Sequence, residues 1–273
     1  MSKVWFVTGS SRGLGLAIVE AALQNGASVI ATARKPEQLQ HLQEKYGERV
    51  LILALNVANN DEVIKAVSTG HQKFGRIDVV VNNAGYGDIA SVEDVNIDDF
   101  RAQIDTNFYG VVYVSKAVAP ILRQQRSGHI FQISSVGGRI NSPGLAAYQS
   151  AKFAVGGFSG SLSQELAPFG IKITVLEPGG IATDFAGSSM KIPPISEPYQ
   201  ETVGTFAAFV RTLTKAGASK PEKIAEIIIK LLDIEDVPAK LLIGPDAYKY
   251  ATAAGEALLA SDKKWKDLTS SSV

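Results

Sequence analysis

Apolar positions along the chain alternate between two periods. Short β-branched runs occupy 3–8, 28–33, 49–55, 78–81, 129–134, 171–177 and 240–243. Between them, residues 13–25, 36–46, 60–74, 98–125, 147–168 and 221–234 place apolar side chains at helical spacing. Val29-Ile30-Ala31, Val79-Val80-Val81 and Ile173-Thr174-Val175-Leu176 are apolar without alternation, as strands covered on both faces require. Strand and helix in strict succession predict an α/β fold: a doubly wound, mostly parallel seven-stranded sheet with helices on both faces.

The rhythm breaks at 185–220. Gly187-Ser188-Ser189, Pro193-Pro194 and Pro198 interrupt it before a helical pattern returns near 200–215. Irregular chain after the carboxyl end of a strand lies where open α/β sheets bind ligands, so this segment is predicted to be a substrate lid. Its Phe185, Met190, Ile192, Pro193, Pro194, Ile195, Tyr199, Phe206 and Phe209 suit an apolar wall, and equally the packing face of a helix. No linker divides the pattern, so one domain is expected over 1–268, with 269–273 frayed at the C-terminus.

Composition narrows the chemistry. Of the 273 residues 45% are hydrophobic and 20% charged, which suits a substantial core, and 27 basic residues balance 27 acidic ones. No broad basic surface is available for nucleic acid. With no cysteine, thiolate catalysis and cysteine-ligated zinc are excluded, and His41, His71 and His129 are too scattered to suggest a metal site. Val4-Trp5-Phe6-Val7 is too short for a signal-peptide core, and no run approaches a membrane span of about 20 apolar residues. A cytoplasmic protein is expected.

Two local patterns carry the candidate chemistry. The first strand runs into Thr8-Gly9-Ser10-Ser11-Arg12-Gly13-Leu14-Gly15 and directly into a helix. Glycines let backbone approach a diphosphate there, and the helix N-terminus offers free N–H groups, so a dinucleotide is the favoured ligand. Tyr148 and Lys152 are four apart in a helical stretch and share a face. An ammonium beside a phenol lowers its pKa toward neutrality, although this spacing alone is common on solvated helices. Ser135 follows a strand thirteen residues before Tyr148 and can donate to a carbonyl oxygen; Ser134 competes for that place. No histidine is patterned with either serine, which speaks against a serine hydrolase.

Taken together, the turn from Thr8 to Gly15 (TGxxxGxG), Asn82-Asn83-Ala84-Gly85, Asn107, Ser135, Tyr148-Gln149-Ser150-Ala151-Lys152 and Pro178-Gly179 resemble the short-chain dehydrogenase/reductase family, in the family's own order, over residues 4 to about 184. The layout is similar to the single-domain carbonyl, steroid and retinol reductases. The resemblance implies a Rossmann fold and a nicotinamide cofactor held by Gly9, Ser11, Arg12, Gly13, Leu14 and Gly15, by Asn56 and Val57 at the adenine, by Asn83, Ala84 and Gly85, and by Pro178, Gly179, Ile181 and Thr183 at the nicotinamide. Asn56 stands where the family usually has aspartate. An NAD enzyme carries an acid after the second strand; here Ala33 and Arg34 follow, and with Arg12 they suit the 2′-phosphate of NADP(H).

By the same resemblance Tyr148 exchanges a proton with the substrate oxygen, Ser135 holds that oxygen, Lys152 tunes Tyr148 and grips the ribose, and Asn107 supports a water chain to Lys152. Tyr86, Ile140, Phe185 and Met190 are candidate substrate contacts. The expected protein is an NADPH-dependent carbonyl reductase or alcohol dehydrogenase acting on a small apolar or bulky molecule, with no metal, assembled as a homodimer or homotetramer through its long helices. A β-ketoacyl carrier-protein reductase shares the residues but has a shorter lid, and an extended-branch sugar epimerase does not match the glycine turn. A catalytically silent NADPH-binding regulator has no need of a proton donor.

Overall fold

The computed structural model describes residues 2–183, 190–212 and 217–273. Phe185 and Gly187-Ser188-Ser189 lie outside them. Strands β1 (Val4–Val7), β2 (Ser28–Ala33), β3 (Val50–Ala54), β4 (Val79–Asn82), β5 (Gly128–Ile133), β6 (Ile171–Pro178) and β7 (Lys240–Ile243) form one sheet in the order β3-β2-β1-β4-β5-β6-β7. Every pairing is parallel, so no antiparallel edge strand is present in this sheet. The order reverses between the neighbours β1 and β4, which is the switch point where such sheets bind ligands.

Alternate residues of a strand feed opposite cores. Trp5 and Val7 join one cluster with α1 (Gly13–Gln24), α2 (Gln40–Tyr46) and α8 (Pro221–Leu231). Val4 and Phe6 join the other, against α3 (Asn60–Phe74), α5 (Gly110–Gln125) and α6 (Ala146–Leu166). All four residues of β1 are buried, which is why the strand shows no alternation in sequence. The Asn59 side chain caps α3 by accepting from Asp61 and Glu62 N–H at 3.0 and 3.3 Å.

The long helix expected over 98–125 is two helices. α4 (Ile97–Ile104) passes into a π-helical turn at Asp105–Tyr109 before α5 begins. Apolar periodicity continues through such a turn, so the pattern does not reveal it. Near 200–215 a π turn at Gln200–Gly204 likewise precedes α7 (Thr205–Thr212). After β7 come α9 (Pro245–Lys264) and α10 (Lys266–Ser270). Only Ala247 and Ala251 of α9 are buried, and every residue from Gly255 onward is exposed. Among the described residues no helix is long and apolar enough to cross a membrane.

Candidate active site

The glycine turn is pressed against the loop after β4. The Thr8 hydroxyl accepts the N–H groups of Asn83 and Ala84 at 2.9 and 3.0 Å. In return Asn83 Nδ2 donates to Thr8 O and Gly9 O at 2.9 and 3.0 Å. Gly9 has φ +66°, the left-handed region that favours glycine. A side chain at Gly15 would strike Gly9 O and Asn83 Nδ2. α1 starts from this turn with no capping side chain and no acid in its first turn, so its N–H groups and positive dipole end stay available to an anion.

Other nucleotide-side candidates surround the turn. Leu14 is buried and Ser11 half-buried, while Arg12 and Arg34 are exposed and without an ion-pair partner among the described residues. Asn56 is exposed, and its Oδ1 accepts the Ala58 N–H at 3.2 Å, leaving one lone pair of that carbonyl for an adenine amino group. Val57 is buried where Gly110 at the start of α5 comes close.

Ser135, Tyr148 and Lys152 converge at the carboxyl end of β5. Tyr148 and Lys152 lie one turn apart on α6 and are only 9% and 5% exposed. The Ser135 hydroxyl faces the Tyr148 phenol and favours its ionised form. Ser134 turns the other way, its hydroxyl donating to Lys152 O at 3.4 Å, which separates the two competing serines. Lys152 Nζ lies 5.5 Å from the centre of the Tyr148 ring and donates to Ile133 O at 2.9 Å. Asn107 is fully buried in the π turn, with Nδ2 donating to Tyr86 O at 2.8 Å and Gln103 O at 2.9 Å. A side chain at Gly85 would strike Asn107 Oδ1 and come within 3.7 Å of Lys152 Nζ, so both groups lie against Gly85.

Burial pushes Tyr148 up to about 12, and the Ser135 hydrogen bond opposes only part of that rise. Burial also pushes Lys152 down to about 8. Desolvation disfavours both charged forms and, at this ring-to-ammonium separation, outweighs their attraction. The unliganded tyrosine therefore keeps its proton at neutral pH.

The turn after β6 closes the far side. Gly179 N–H donates to Ile243 O at 3.0 Å and Gly180 N–H to Asp246 Oδ2 at 2.7 Å. Ile181 is half-buried, and the Thr183 methyl lies against Gly13, bringing this turn to the glycine turn. Ile140 is half-buried; its carbonyl accepts from Gln149 Nε2 at 3.0 Å.

Met190 takes part in packing within the lid. With Ile192, Ile195, Tyr199 and Phe206 it packs on a small core of Ile89, Val203, Ala207 and Val210. These five lid residues thus pack on a core of the lid's own, while Pro193, Pro194 and Phe209 are exposed. A cavity of ≈ 300 Å³ lies beneath the lid between Asp88, Phe100, Gln103, Gly144, Ala147 and Ile192, and neither Ser135 nor Tyr148 lines it.

Three polar residues escaped the sequence reading: Arg139, Glu177 and Asp246. Glu177 is buried in β6 and ion-pairs with Arg139 at 2.5 Å. A lone carboxylate inside the apolar run 173–178 was the available signal, since a buried charge demands a partner. Nothing local pointed to which partner.

A family model for short chain dehydrogenases matches residues 3–192. The chain is 65% identical over 270 residues to oxidoreductase BOA17 of Botryotinia fuckeliana (strain B05.10), covering 98% of each sequence. A solved short-chain dehydrogenase from Streptomyces avermitilis superposes with a TM-score of 0.93 at 33% identity over 100% of both chains. An alcohol dehydrogenase from Thermococcus sibiricus, solved with 5-hydroxy-NADP, superposes with a TM-score of 0.74 at 26% identity, covering 89% of this chain and 96% of that one.

Proposed function

The chain belongs to the short-chain dehydrogenase/reductase family, and from that premise we propose an NADPH-dependent carbonyl reductase or alcohol dehydrogenase acting on a ketone, an aldehyde or the matching secondary alcohol. The observation that carries this reading is the meeting of the half-buried Ser135 hydroxyl with the buried Tyr148 phenol, with Lys152 on the next turn of the same helix.

The residues fit a dinucleotide by a property of their own, since the glycine turn admits no side chain at Gly15 and ends on an uncapped helix. Gly9–Gly15 would hold the diphosphate, Asn56 and Val57 the adenine, Asn83, Ala84 and Gly85 the central backbone, Lys152 the ribose, and Pro178, Gly179, Ile181 and Thr183 the carboxamide end. Arg12 and Arg34 would meet the 2′-phosphate, where no acid stands to repel it. When bound, the nicotinamide supplies the hydride or takes it up.

The chain's own groups manage the oxygen. Ser135 donates a hydrogen bond to the carbonyl and favours the charge that develops there. Tyr148 passes its phenolic proton to that oxygen, and Lys152, bordered by Asn107, returns a proton to Tyr148. Burial keeps Tyr148 protonated in the unliganded site, the form in which it can donate to a carbonyl oxygen. Tyr86 and Ile140 border the substrate, which we take to be apolar or bulky. The protein works in the cytoplasm as a dimer or tetramer paired through α5 and α6, with aromatic surface exposed at Tyr109, just before α5, and at Phe153 on α6.

NADPH consumption against a panel of ketones and aldehydes tests the reading. Tyr148→Phe should lose about 10³-fold or more in kcat while dinucleotide binding, measured by calorimetry, survives. Undiminished turnover in that variant would overturn the proposed role.

A further inference from the structure

Glu177 and Arg139 lie outside the proton chemistry just described, yet they sit between its two halves. Glu177 directly precedes Pro178-Gly179, and its side chain is 2% exposed. Arg139 is the fourth residue after Ser135, in a turn closed by Gly137 N–H to Ser135 Oγ at 3.0 Å, Gly138 N–H to Ser135 O at 2.9 Å and Arg139 N–H to Val136 O at 2.8 Å. Movement of the Arg139 backbone is therefore carried back to the Ser135 hydroxyl.

The ion pair stands where the sheet stops connecting these segments. The last backbone hydrogen bond between the β5 and β6 chains among the described residues is Ser134 N–H to Leu176 O at 2.8 Å. Beyond it the chains part, one toward Ser135 and the other toward Pro178. Arg139 Nη2 to Glu177 Oε2, at 2.5 Å, is the next link across that gap. It is an ion pair without hydrogen-bond alignment at Oε2. On its other side the turn is anchored by Asp246, which accepts the Gly180 N–H at 2.7 Å.

Stability alone gives little reason for this arrangement. Removing one partner of a buried pair is strongly destabilising, but replacing both with apolar residues of similar volume is often neutral or better. What apolar replacements would not reproduce is a directed link of fixed length. We propose that Arg139 and Glu177 are a positioning pair, which sets the Ser135–Tyr148 hydroxyls at a defined separation from the turn 178–183 and so governs the efficiency of the reduction. This inference rests on the function proposed above. It assigns neither residue a direct part in proton or hydride transfer.

The test compares Arg139→Met with the double variant Arg139→Met/Glu177→Leu. The single variant strands a buried carboxylate and should lose both melting temperature and kcat. The double variant should recover melting temperature while kcat stays about 10- to 100-fold low, the cost expected of reacting groups misplaced by about 1 Å. KM for NADPH should move far less than kcat, because the diphosphate seat is untouched although the carboxamide end shifts with the turn. The deuterium isotope effect from labelled NADPH should rise as hydride transfer becomes limiting. Arg139→Lys should rescue part of the rate. Wild-type kcat in the double variant, or a kcat deficit that follows melting temperature alone, overturns the pair's positioning role.

Wild type and Tyr148→Phe run in parallel separate the two levels of inference. If wild type reduces no carbonyl, the reaction assignment fails by itself. Amide exchange on the unliganded double variant then still decides the positioning claim. Faster exchange at 135–139 and 179–180 supports it, and unchanged protection there refutes it.

Discussion

Thr8 and Asp94 each tie two loops together, and what surrounds them differs. Thr8 is 1% exposed between β1 and β4, with backbone donors on one side and the glycine turn on the other. Asp94 accepts the Ser196 N–H and hydroxyl, both at 3.1 Å, at the rim of the lid. Its neighbours repeat the theme. Asp88 accepts the Lys191 N–H at 2.9 Å, and the Tyr199 hydroxyl donates to Glu93 at 2.6 Å. The nucleotide side is thus fixed by steric fit and buried backbone bonds, which fail together. The lid has its own small core and is tied by acceptors on its rim, which can be released one at a time without opening the main core.

Substitutions on each side should expose that difference, and the largest effect belongs to Gly15→Val. The new side chain meets Gly9 O and Asn83 Nδ2, so the turn must open. Dinucleotide affinity should fall by about 100-fold or more, with about 2–4 kcal/mol lost from folding, as titration and denaturant unfolding would measure. Unchanged affinity would mean that the turn yields, and the two regions would then be alike. Next in size, Arg34→Asp should invert the NADPH:NADH ratio of kcat/KM, a swing of about 10- to 100-fold, with melting temperature unmoved because the side chain is exposed. A constant ratio would remove Arg34 from the cofactor site.

The smallest effect should come from the lid. In Asp94→Asn the KM for the carbonyl should rise by about two- to fivefold while dinucleotide affinity and the main unfolding transition stay as they are. The pH dependence has a definite sign. The Ser196 N–H, followed by the Ser91 and Ser196 hydroxyls, holds Asp94 below its ordinary value of 3.8. The lid tie is therefore complete above that value and lost as pH falls through the lowered folded pKa. Faster proteolysis of the lid in acid, in wild type but not in Asp94→Asn, would display it.

The fold was legible because both faces of the sheet are covered. Val79-Val80-Val81 and Val29-Ile30-Ala31 had to be apolar throughout, and their lengths allowed little else. The candidate site was legible where chemistry is local, as in the glycine turn and the Tyr148/Lys152 spacing. It was illegible where a residue's meaning depends on a distant partner. Arg139 and Glu177 are 38 positions apart in sequence and share no periodicity. Met190 and Phe206 were correctly read as apolar, but hydrophobicity does not say whether a side chain faces a ligand or its own helix. The spacing likewise shows the nearby ammonium but not the burial of both groups, which pushes the phenol up and the ammonium down in the unliganded site.

The Thr8–Asn83 tie joins positions 75 apart in sequence, and this has a consequence for how the molecule assembles. β1 can pair with β2 early, since only a single helix separates them. Its other edge waits for β4, and until then the glycine turn has no floor. A dinucleotide can recognise only the late, assembled state, and contacts of such long range form slowly. Cofactor should therefore stabilise the finished protein by mass action and slow its unfolding, yet leave the rate of folding unchanged.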